Sequence, residues 1–515
     1  MISKQYTLGS LFLIFPLLAQ ALPFNIVPKT GTTLPTQLTA GQTVNAFYTV
    51  TNNTTSVRAN NFVKYLPLNV TQVTSNSNIP DLCGTNFTLQ PYQSTDNSCT
   101  LELLVSGAVN ANDPNPKHHL VVCFPGGTTC AGTAFPLNVN VIEANNEVVA
   151  AGYYLDNAFN SYFALATSTD GGTTWSQQGL TPPDGDQGFF TGVSCTGSSC
   201  VSVGSLQQIC GNTYSDVARS TDQGQTWSPQ TLPAPVGYDT GILNGIYCAG
   251  QSCVAVGDYN QTATGDAIST IAVSNDIGTT WSQQVLPSPP GMNQGSLNGV
   301  TCVGNICIAA GAYQNISFDS LPGIALSPDK GVTWTQQTLT LPNGYSNGEL
   351  NGVACSAISC IAVGNYFDNS GHDYLTVAIS TNDGVSWSQQ TLTPPGSFTQ
   401  GTFQGINCTS NYCVAVGNYT YGVEYRAYPA VAVTADGGNS WSQQTLPIPT
   451  GFRYGYLNGV TCSNNTCVAV GYYESLTGVD MPFTAQSSDS GNTWTQQLLT
   501  PPVGLFIQGE FNGVG

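Results

Sequence analysis

Ser168-Thr169-Asp170-Gly171-Gly172-Thr173-Thr174-Trp175 is the first of seven near-copies of one pattern, Ser-x-Asp-x-Gly-x-Thr-Trp. The copies end at Trp175, Trp227, Trp281, Trp334, Trp387, Trp441 and Trp494, which are 52 to 54 residues apart and are all the tryptophans in the chain. A fixed period of this length marks an array of like units, in the range of propeller blades. Each full unit reads as four strands. In the unit that begins at Leu297, Asn298 to Cys302 is expected as strand A, Cys307 to Gly311 as strand B and Ile324 to Ser327 as strand C, with Trp334 opening strand D. Four-stranded units set in a ring leave only short sheet edges. The expected fold is all-β, a seven-bladed β-propeller over residues 144–515.

The two ends of the repeat region bear on closure. Glu147 to Gly152 matches strand B of later units, with no strand A before it, whereas Glu510 to Gly515 matches a strand A with nothing after it. The C-terminal strand is therefore expected to complete the first blade. Six cysteine pairs of the form Cys-x4-Cys sit across the presumed A-B hairpins: Cys195/Cys200, Cys248/Cys253, Cys302/Cys307, Cys355/Cys360, Cys408/Cys413 and Cys462/Cys467. A short hairpin brings two facing side chains to bonding distance, so these read as disulfides. Zinc is disfavoured because no histidine repeats beside them. The first unit lacks a pair, with Val148 in the place of its strand B cysteine. Cys210 is left over as a candidate free thiol.

The eight-residue pattern resembles the Asp box of bacterial sialidases and related propellers, the sialidase or BNR repeat, over Asn145 to Gly515. The resemblance implies a structural role on the turn between strands C and D, away from the catalytic face. Six copies keep the acid and the fifth has Asn382. The resemblance does not extend to chemistry. Sialidases share three arginines that clamp a carboxylate, whereas this region has only Arg219, Arg426 and Arg453, none in the family setting.

Residues 1–21 carry Lys4, an apolar run from Leu11 to Leu18 and small residues at Ala19 and Ala21, the pattern of a signal peptide, so the protein is expected to be secreted or periplasmic. Seventeen cysteines suit an oxidising compartment. No later apolar run is long enough to span a membrane. A net charge of -19 with only 7% charged residues argues against nucleic acid as a partner. Asn69, Asn260, Asn315 and Asn418 stand in Asn-x-Ser/Thr sites, which composition alone explains in so Asn- and Thr-rich a chain. Residues 22–143 show strand alternation at Val44, Ala46, Tyr48 and Val50, at Leu101, Leu103 and Val105, and at Phe135, Leu137, Val139 and Val141. An immunoglobulin-like β-sandwich is expected, with Cys83 paired to Cys99 and Cys123 to Cys130.

The A-B and C-D turns are nearly alike in every unit, and the B-C and D-A loops diverge. The divergent face is rich in Tyr, Asn, Gln and Asp, which suits contact with a glycan or a protein. Tyr259, Tyr313, Tyr366 and Tyr419 follow a repeated position and read equally as local packing. Tyr421, Tyr425, Arg426, Arg453, Tyr454 and Phe506 are the candidate ligand-binding residues. Thr191, Asn244, Asn298, Asn351, Gln404, Asn458 and Asn512, one per unit before a Gly, are expected to bond turn backbone. The first reading of function is a secreted binding or adhesion protein. An alternative is a glycoside hydrolase using two of Asp156, Asp239, Asp258, Asp368, Glu424 and Glu474, and a third is an assembly scaffold, since photosystem II assembly-factor propellers are similar in fold. No cofactor or metal is expected, and three histidines, His118, His119 and His372, offer little to a His-based triad.

Overall fold

The computed structural model describes residues 22–39, 43–142, 147–183, 186–209, 211–356, 358–409, 412–421, 426–502 and 506–515. The expected signal peptide, Cys210, Glu424 and Tyr425 lie outside the described residues. The chain is all-β, without an α-helix among the described residues, and divides into two compact units at Ala144/Asn145.

In the first unit one four-stranded sheet orders Phe24–Pro28, Val44–Asn52, Ser98–Val105 and Val70–Val73, and a second orders Phe87–Leu89, Arg58–Tyr65, Val121–Cys123 and Cys130–Gly132. One apolar cluster draws on both, with Phe24, Tyr48 and Leu103 meeting Leu89 and Val122. Cys83–Cys99 and Cys123–Cys130 are both bonded. The alternating run from Phe135 is shorter than its pattern: the strand is Asn140–Ile142 alone, paired in parallel with Gln37–Thr39, and Phe135 is exposed. Pro136 has no N–H to give a ladder at that point.

In the second unit seven four-stranded antiparallel sheets follow one another. Sheet 1 orders Gln508–Val514, Val148–Leu155, Ser161–Ser168 and Ser176–Leu180 from its inner to its outer strand. Sheets 2 to 7 occupy 187–231, 238–285, 294–338, 345–391, 400–445 and 452–498 in chain order, strands A to D running outward. Each inner strand touches the next, and Gln508–Val514 touches the inner strands of both sheet 7 and sheet 2, the closed succession of a β-propeller. Strand B holds a continuous apolar run buried on both faces, whereas strand D is short, polar and half-exposed, which blunts the outer edge.

All six Cys-x4-Cys pairs are disulfides between register partners: Cys195–Cys200, Cys248–Cys253, Cys302–Cys307, Cys355–Cys360, Cys408–Cys413 and Cys462–Cys467. They span the A-B hairpins as the sequence suggests, and the two members of each pair differ in burial. The strand B members, Cys200, Cys253, Cys307, Cys360, Cys413 and Cys467, are buried in the apolar packing between sheets, so they are core residues and present nothing to a ligand. The cause is that the first half of strand B packs on a neighbouring sheet, and the cysteine is its first or second residue. Among the strand A members only Cys248 is buried; the other five are half-exposed at the inner strand's end.

The chain's last strand docks as expected. Ala150 pairs with Val514 and Tyr153 with Glu510, and Gly515 exchanges both backbone bonds with Val149. Strand A begins earlier than the sequence suggests, at Gln294 rather than Asn298 in sheet 4, and the Asn sits within it at a bulge between Leu297 and Gly299. The bulge frees that side chain for a partner other than the turn backbone expected for it. Asn244 donates to Leu297 O, Asn298 to Leu350 O, Asn351 to Phe403 O, Asn458 to Phe511 O and Asn512 to Phe190 O, each in the following sheet, and Thr191 does the same to Leu243 O. Gln404, one methylene longer, is exposed and makes no such bond among the described residues. The glycine that follows is required by this apposition: a Cβ on Gly245 would lie 2.6 Å from Asn298 O, and one on Gly513 2.7 Å from Gly192 Cα.

The Ser-Gln-Gln or Thr-Gln-Gln run that follows every Trp except Trp227, where the sequence is Ser-Pro-Gln, stitches the periphery. Its first Gln donates to a carbonyl of the preceding sheet's outer loop, as Gln283 does to Pro233 O, and its second donates to the glycine carbonyl of the following sheet's C-D turn, as Gln284 does to Gly331 O. Within the C-D turn, Ser274 Oγ accepts from Gly278 N while Asp276 accepts from Thr280 N and Oγ1, and the Trp281 indole donates to Gly278 O. Asn382 keeps the backbone bond from Ser386 N and reverses the side-chain one, its Nδ2 donating to Ser386 Oγ.

Candidate ligand-binding site between sheets 7, 1 and 2

Two positions in each sheet vary inside strands that are otherwise alike. One precedes the buried Leu or Phe of strand A, and the other follows the invariant glycine of strand B. They are register partners, as Tyr153 and Glu510 are in sheet 1 and Tyr456 and Tyr472 in sheet 7. The glycine beside them is fixed by geometry, since a Cβ on Gly152 would lie 1.9 Å from Glu510 O. The strand B residue of one sheet meets the strand A residue of the next. Asp258 of sheet 3 accepts from Ser296 Oγ of sheet 4 at 2.6 Å, and the rings of Tyr153 in sheet 1 and Phe189 in sheet 2 meet edge to face at 6.5 Å. Both positions lie at the strand ends that carry the divergent B-C and D-A loops.

At the junctions of sheet 1 with its neighbours these positions hold only aromatic rings and one acid. Tyr456 and Tyr472 stack with centroids 4.9 Å apart and planes at 22°. Tyr153 and Phe189 form the second pair, and all four rings are half-buried. Glu510 stands beside Tyr153 and faces Asp480 of sheet 7. Asp480 in turn pairs in register with Glu474, whose carboxylate forms an ion pair with Arg453. The Arg453 guanidinium lies 4.9 Å from the Tyr454 ring centroid, and Arg453 O accepts from Arg426 Nε at 3.1 Å.

The electrostatics of this group are those of crowded acids. Burial, and to a smaller degree the charge of Asp480, pushes the Glu510 carboxyl up to about 7, with Tyr153 pulling the other way. Burial and then Glu474 push Asp480 up to about 6, partly offset by Arg453. Three carboxyls thus share this group with two guanidiniums, those of Arg426 and Arg453, and near neutral pH Glu510 is poised between hydrogen-bond donor and acceptor. The rings offer flat apolar faces, and the acids and Arg453 offer directional polar contacts around them.

Of the residues singled out from sequence, Arg426, Arg453 and Tyr454 come together here. Tyr421 instead stacks on Phe398 at 4.4 Å and meets Tyr428 edge-on within sheet 6. Phe506 packs on Tyr154 and Tyr162 over Gly179, as Tyr345 packs on Tyr366 and Phe452 on Tyr473, so its contacts are those of a repeated lid on a buried ring. The tyrosines at that repeated position, among them Tyr259, Tyr313, Tyr366 and Tyr419, are fully buried.

The loop acids divide by environment. Asp156 accepts from Ala158 N, Asn160 N and the Tyr162 hydroxyl, and Asp368 accepts from Ser370 N and His372 N, so both carboxylates hold their own turns. These bonds keep Asp368 down near 2. Asp239 is exposed, Asp258 is held by Ser296 and Glu474 by Arg453. Among the described residues no three His, Cys, Asp or Glu side chains stand close enough to hold a metal ion, and no helix is long and apolar enough to cross a membrane.

Glu510, Asp480, Tyr153, Tyr456 and Tyr472 are not among the candidate residues that the sequence singles out. Their signal is positional. When the repeats are aligned on Leu-Asn-Gly and Val-Gly, Glu510, Tyr153, Tyr456 and Tyr472 stand where the residue changes beside a fixed glycine, whereas Asp480 opens strand C and carries no such signal.

No protein-family model matches this chain, and no curated protein matches it. Solved structures similar to it include the Hadza microbial sialidase Hz136, at 13% identity and TM-score 0.37, covering 76% of this chain and 96% of that one. Trypanosoma rangeli sialidase in complex with the inhibitor DANA aligns at 10% identity and TM-score 0.43, over 60% of this chain and 56% of that one. Penicillium chrysogenum alpha-L-arabinanase complexed with arabinobiose aligns at 12% identity and TM-score 0.38, over 60% of this chain and 93% of that one. The chain thus spans little more than half of the trypanosomal enzyme, and at such identities and scores its function rests on its own residues.

Proposed function

We propose that the chain is an exported binding protein: a signal peptide at 1–21, an immunoglobulin-like sandwich at 22–143 and a seven-bladed propeller at 144–515, whose divergent face binds a glycan. The observation that carries this reading is the group at sheets 7, 1 and 2, where Tyr153, Phe189, Tyr456 and Tyr472 surround Glu510, Asp480 and the Arg453–Glu474 pair. Half-buried rings stack on the apolar faces of sugars while carboxyl and guanidinium groups bond their hydroxyls. Three acids against two bases, Arg453 already paired with Glu474, favour a sugar without acidic groups, because a carboxylate ligand finds no net positive charge. Glycan-array binding by the intact protein tests this. Neutral or amino sugars are expected to bind, with Kd weakened about tenfold by Y472A, which is about 1.4 kcal/mol. Binding confined to sialylated or uronic-acid glycans, or unaffected by Y472A and R453A, contradicts it.

A second reading, a glycoside hydrolase, is favoured by one observation. On adjoining sheets, burial raises the Glu510 carboxyl to about 7 and the Asp480 carboxyl to about 6, which brings both within range of proton transfer near neutral pH. Release of reducing sugar from an array-positive oligosaccharide, abolished by both E510Q and D480N, would establish it. Binding without turnover leaves the first reading in place.

A further inference from the structure

Five of the loops joining strands B and C share one five-residue turn. In sheets 1, 2, 4, 5 and 7 the first residue's N–H bonds the carbonyl of the fifth, and the fourth residue's N–H bonds the carbonyl of the first. The fourth residue has left-handed backbone geometry every time. It is glycine in sheets 2, 5 and 7, at Gly211, Gly371 and Gly478, but phenylalanine in sheets 1 and 4, at Phe159 (φ 63°) and Phe318 (φ 64°). A bulky side chain is disfavoured there and glycine is not. The phenylalanines do not hold the turn together either. Asp156 and Asn315 do so by accepting the N–H groups of the third and fifth residues. Nor do the rings pack inward, being 65% and 72% exposed. An exposed ring kept where the backbone favours glycine serves what it touches outside the chain.

We infer that Phe159 and Phe318 are contact residues for the surface of an uncharged polysaccharide. Sheets 1 and 4 are separated by two sheets one way round the ring and three the other, so the two rings stand on opposite sides of the divergent face. A partner that reaches both is broad and flat. Each turn carries hydrogen-bonding side chains, Asn157 and Asn160 in one and, beside the exposed Ile316, Ser317 and Asp319 in the other, with no Lys or Arg in either. A chain of net charge -19 is repelled by polyanions and anionic bilayers. Entry into hydrocarbon would strip water from the Asp156 carboxylate beside Phe159, a cost that a hydroxyl-bearing surface does not impose. This contact lies at the loop tips, outside the group at sheets 7, 1 and 2, and stands whether or not that group binds a glycan.

The test is depletion of the full protein from solution by microcrystalline cellulose, β-chitin and insoluble β-1,3-glucan, with phosphatidylcholine vesicles as a parallel arm. Wild type is expected to adsorb to at least one polysaccharide and not to the vesicles. F159G/F318G, which installs the residue of the sibling turns, is expected to adsorb at least tenfold less with an unchanged or higher melting temperature. F159Y/F318Y, which keeps the rings, is expected to adsorb as wild type does. No adsorption by wild type to any of the three, equal adsorption by F159G/F318G, loss in F159Y/F318Y, or Phe-dependent sedimentation with the vesicles would overturn the inference.

Discussion

Asn512 Nδ2 donates to the carbonyl oxygen of Phe190 at 2.8 Å, joining the last strand of the chain to a residue 322 positions earlier in sequence. The same strand is held to sheet 1 by its backbone ladder, so the end of the chain closes the ring from two sides. Loss of one such bond costs about 1 kcal/mol, and N512A is expected to lower the melting temperature by a few degrees. G513A is expected to cost more, because its Cβ has only backbone to displace, 2.7 Å away at Gly192 Cα. Urea unfolding of both variants checks the order; a G513A protein as stable as wild type would mean that the inner strands are not so closely apposed.

Six sheets carry a disulfide across the A-B hairpin, while sheet 1, built from both ends of the unit, has none. Closing so small a loop contributes only about 2 kcal/mol in the chain-entropy model. C302S/C307S is therefore expected to fold with a modestly lower melting temperature. In native-state hydrogen exchange, amides of 148–155 and 508–515 are expected to open before those of the six bonded hairpins. Uniform protection across all seven sheets would contradict the idea that closure at sheet 1 is the weakest joint.

The pH dependence of stability has two limbs. Glu510 is raised from 4.5 to about 7 and Asp480 from 3.8 to about 6. Groups whose folded pKa is raised stabilise fully below their unfolded values, and that contribution is lost as pH rises through about 6 to 7. Asp170, Asp222 and Asp276, each bonded first by the hydroxyl of the Thr four residues on, are lowered to about 2, so their contribution is lost as pH falls toward that value. Stability is expected to peak near pH ~4 to 5 and to decline toward pH ~8. E510Q should flatten the alkaline decline. Melting temperatures that rise steadily from pH 4 to 8, or an E510Q protein with the wild-type slope, would contradict this.

Asn382 shows that a turn of this type keeps its backbone bond without a charge. D276N is accordingly expected to melt close to wild type, and D276A, which loses both the Thr280 N and Oγ1 bonds, clearly lower. Equal melting of the two would assign the turn's stability to the Trp281 indole and Gly278 instead.

The framework was legible in the sequence because each of its parts recurs. Trp, the C-D turn acid and the cysteine pairs sit at fixed intervals, and their period alone orders the strands. The bond of Asn298 to Leu350 O was not legible, since it depends on a bulge that only the register reveals. The candidate site was half legible for a related reason. Arg453 and Tyr454 stand out as unrepeated residues, whereas Glu510 lies in a stretch that reads as one more strand A, and Asp480 in one that reads as strand C. Their meeting is set by the docking of the last strand beside sheet 7, a contact between distant segments. Phe506 misleads for the opposite reason: its sequence is unrepeated, but its packing on Tyr154 is the same as that of Phe452 on Tyr473.

The central claim is that ligand binds where sheets 7, 1 and 2 meet, and hydrogen exchange with and without an array-selected neutral oligosaccharide tests it most directly. Slowed exchange confined to 186–190, 452–457, 471–481 and 507–511 is the expected result. Protection at the cysteine hairpins and C-D turns instead, or none at the junction while ligand is bound, would contradict the account.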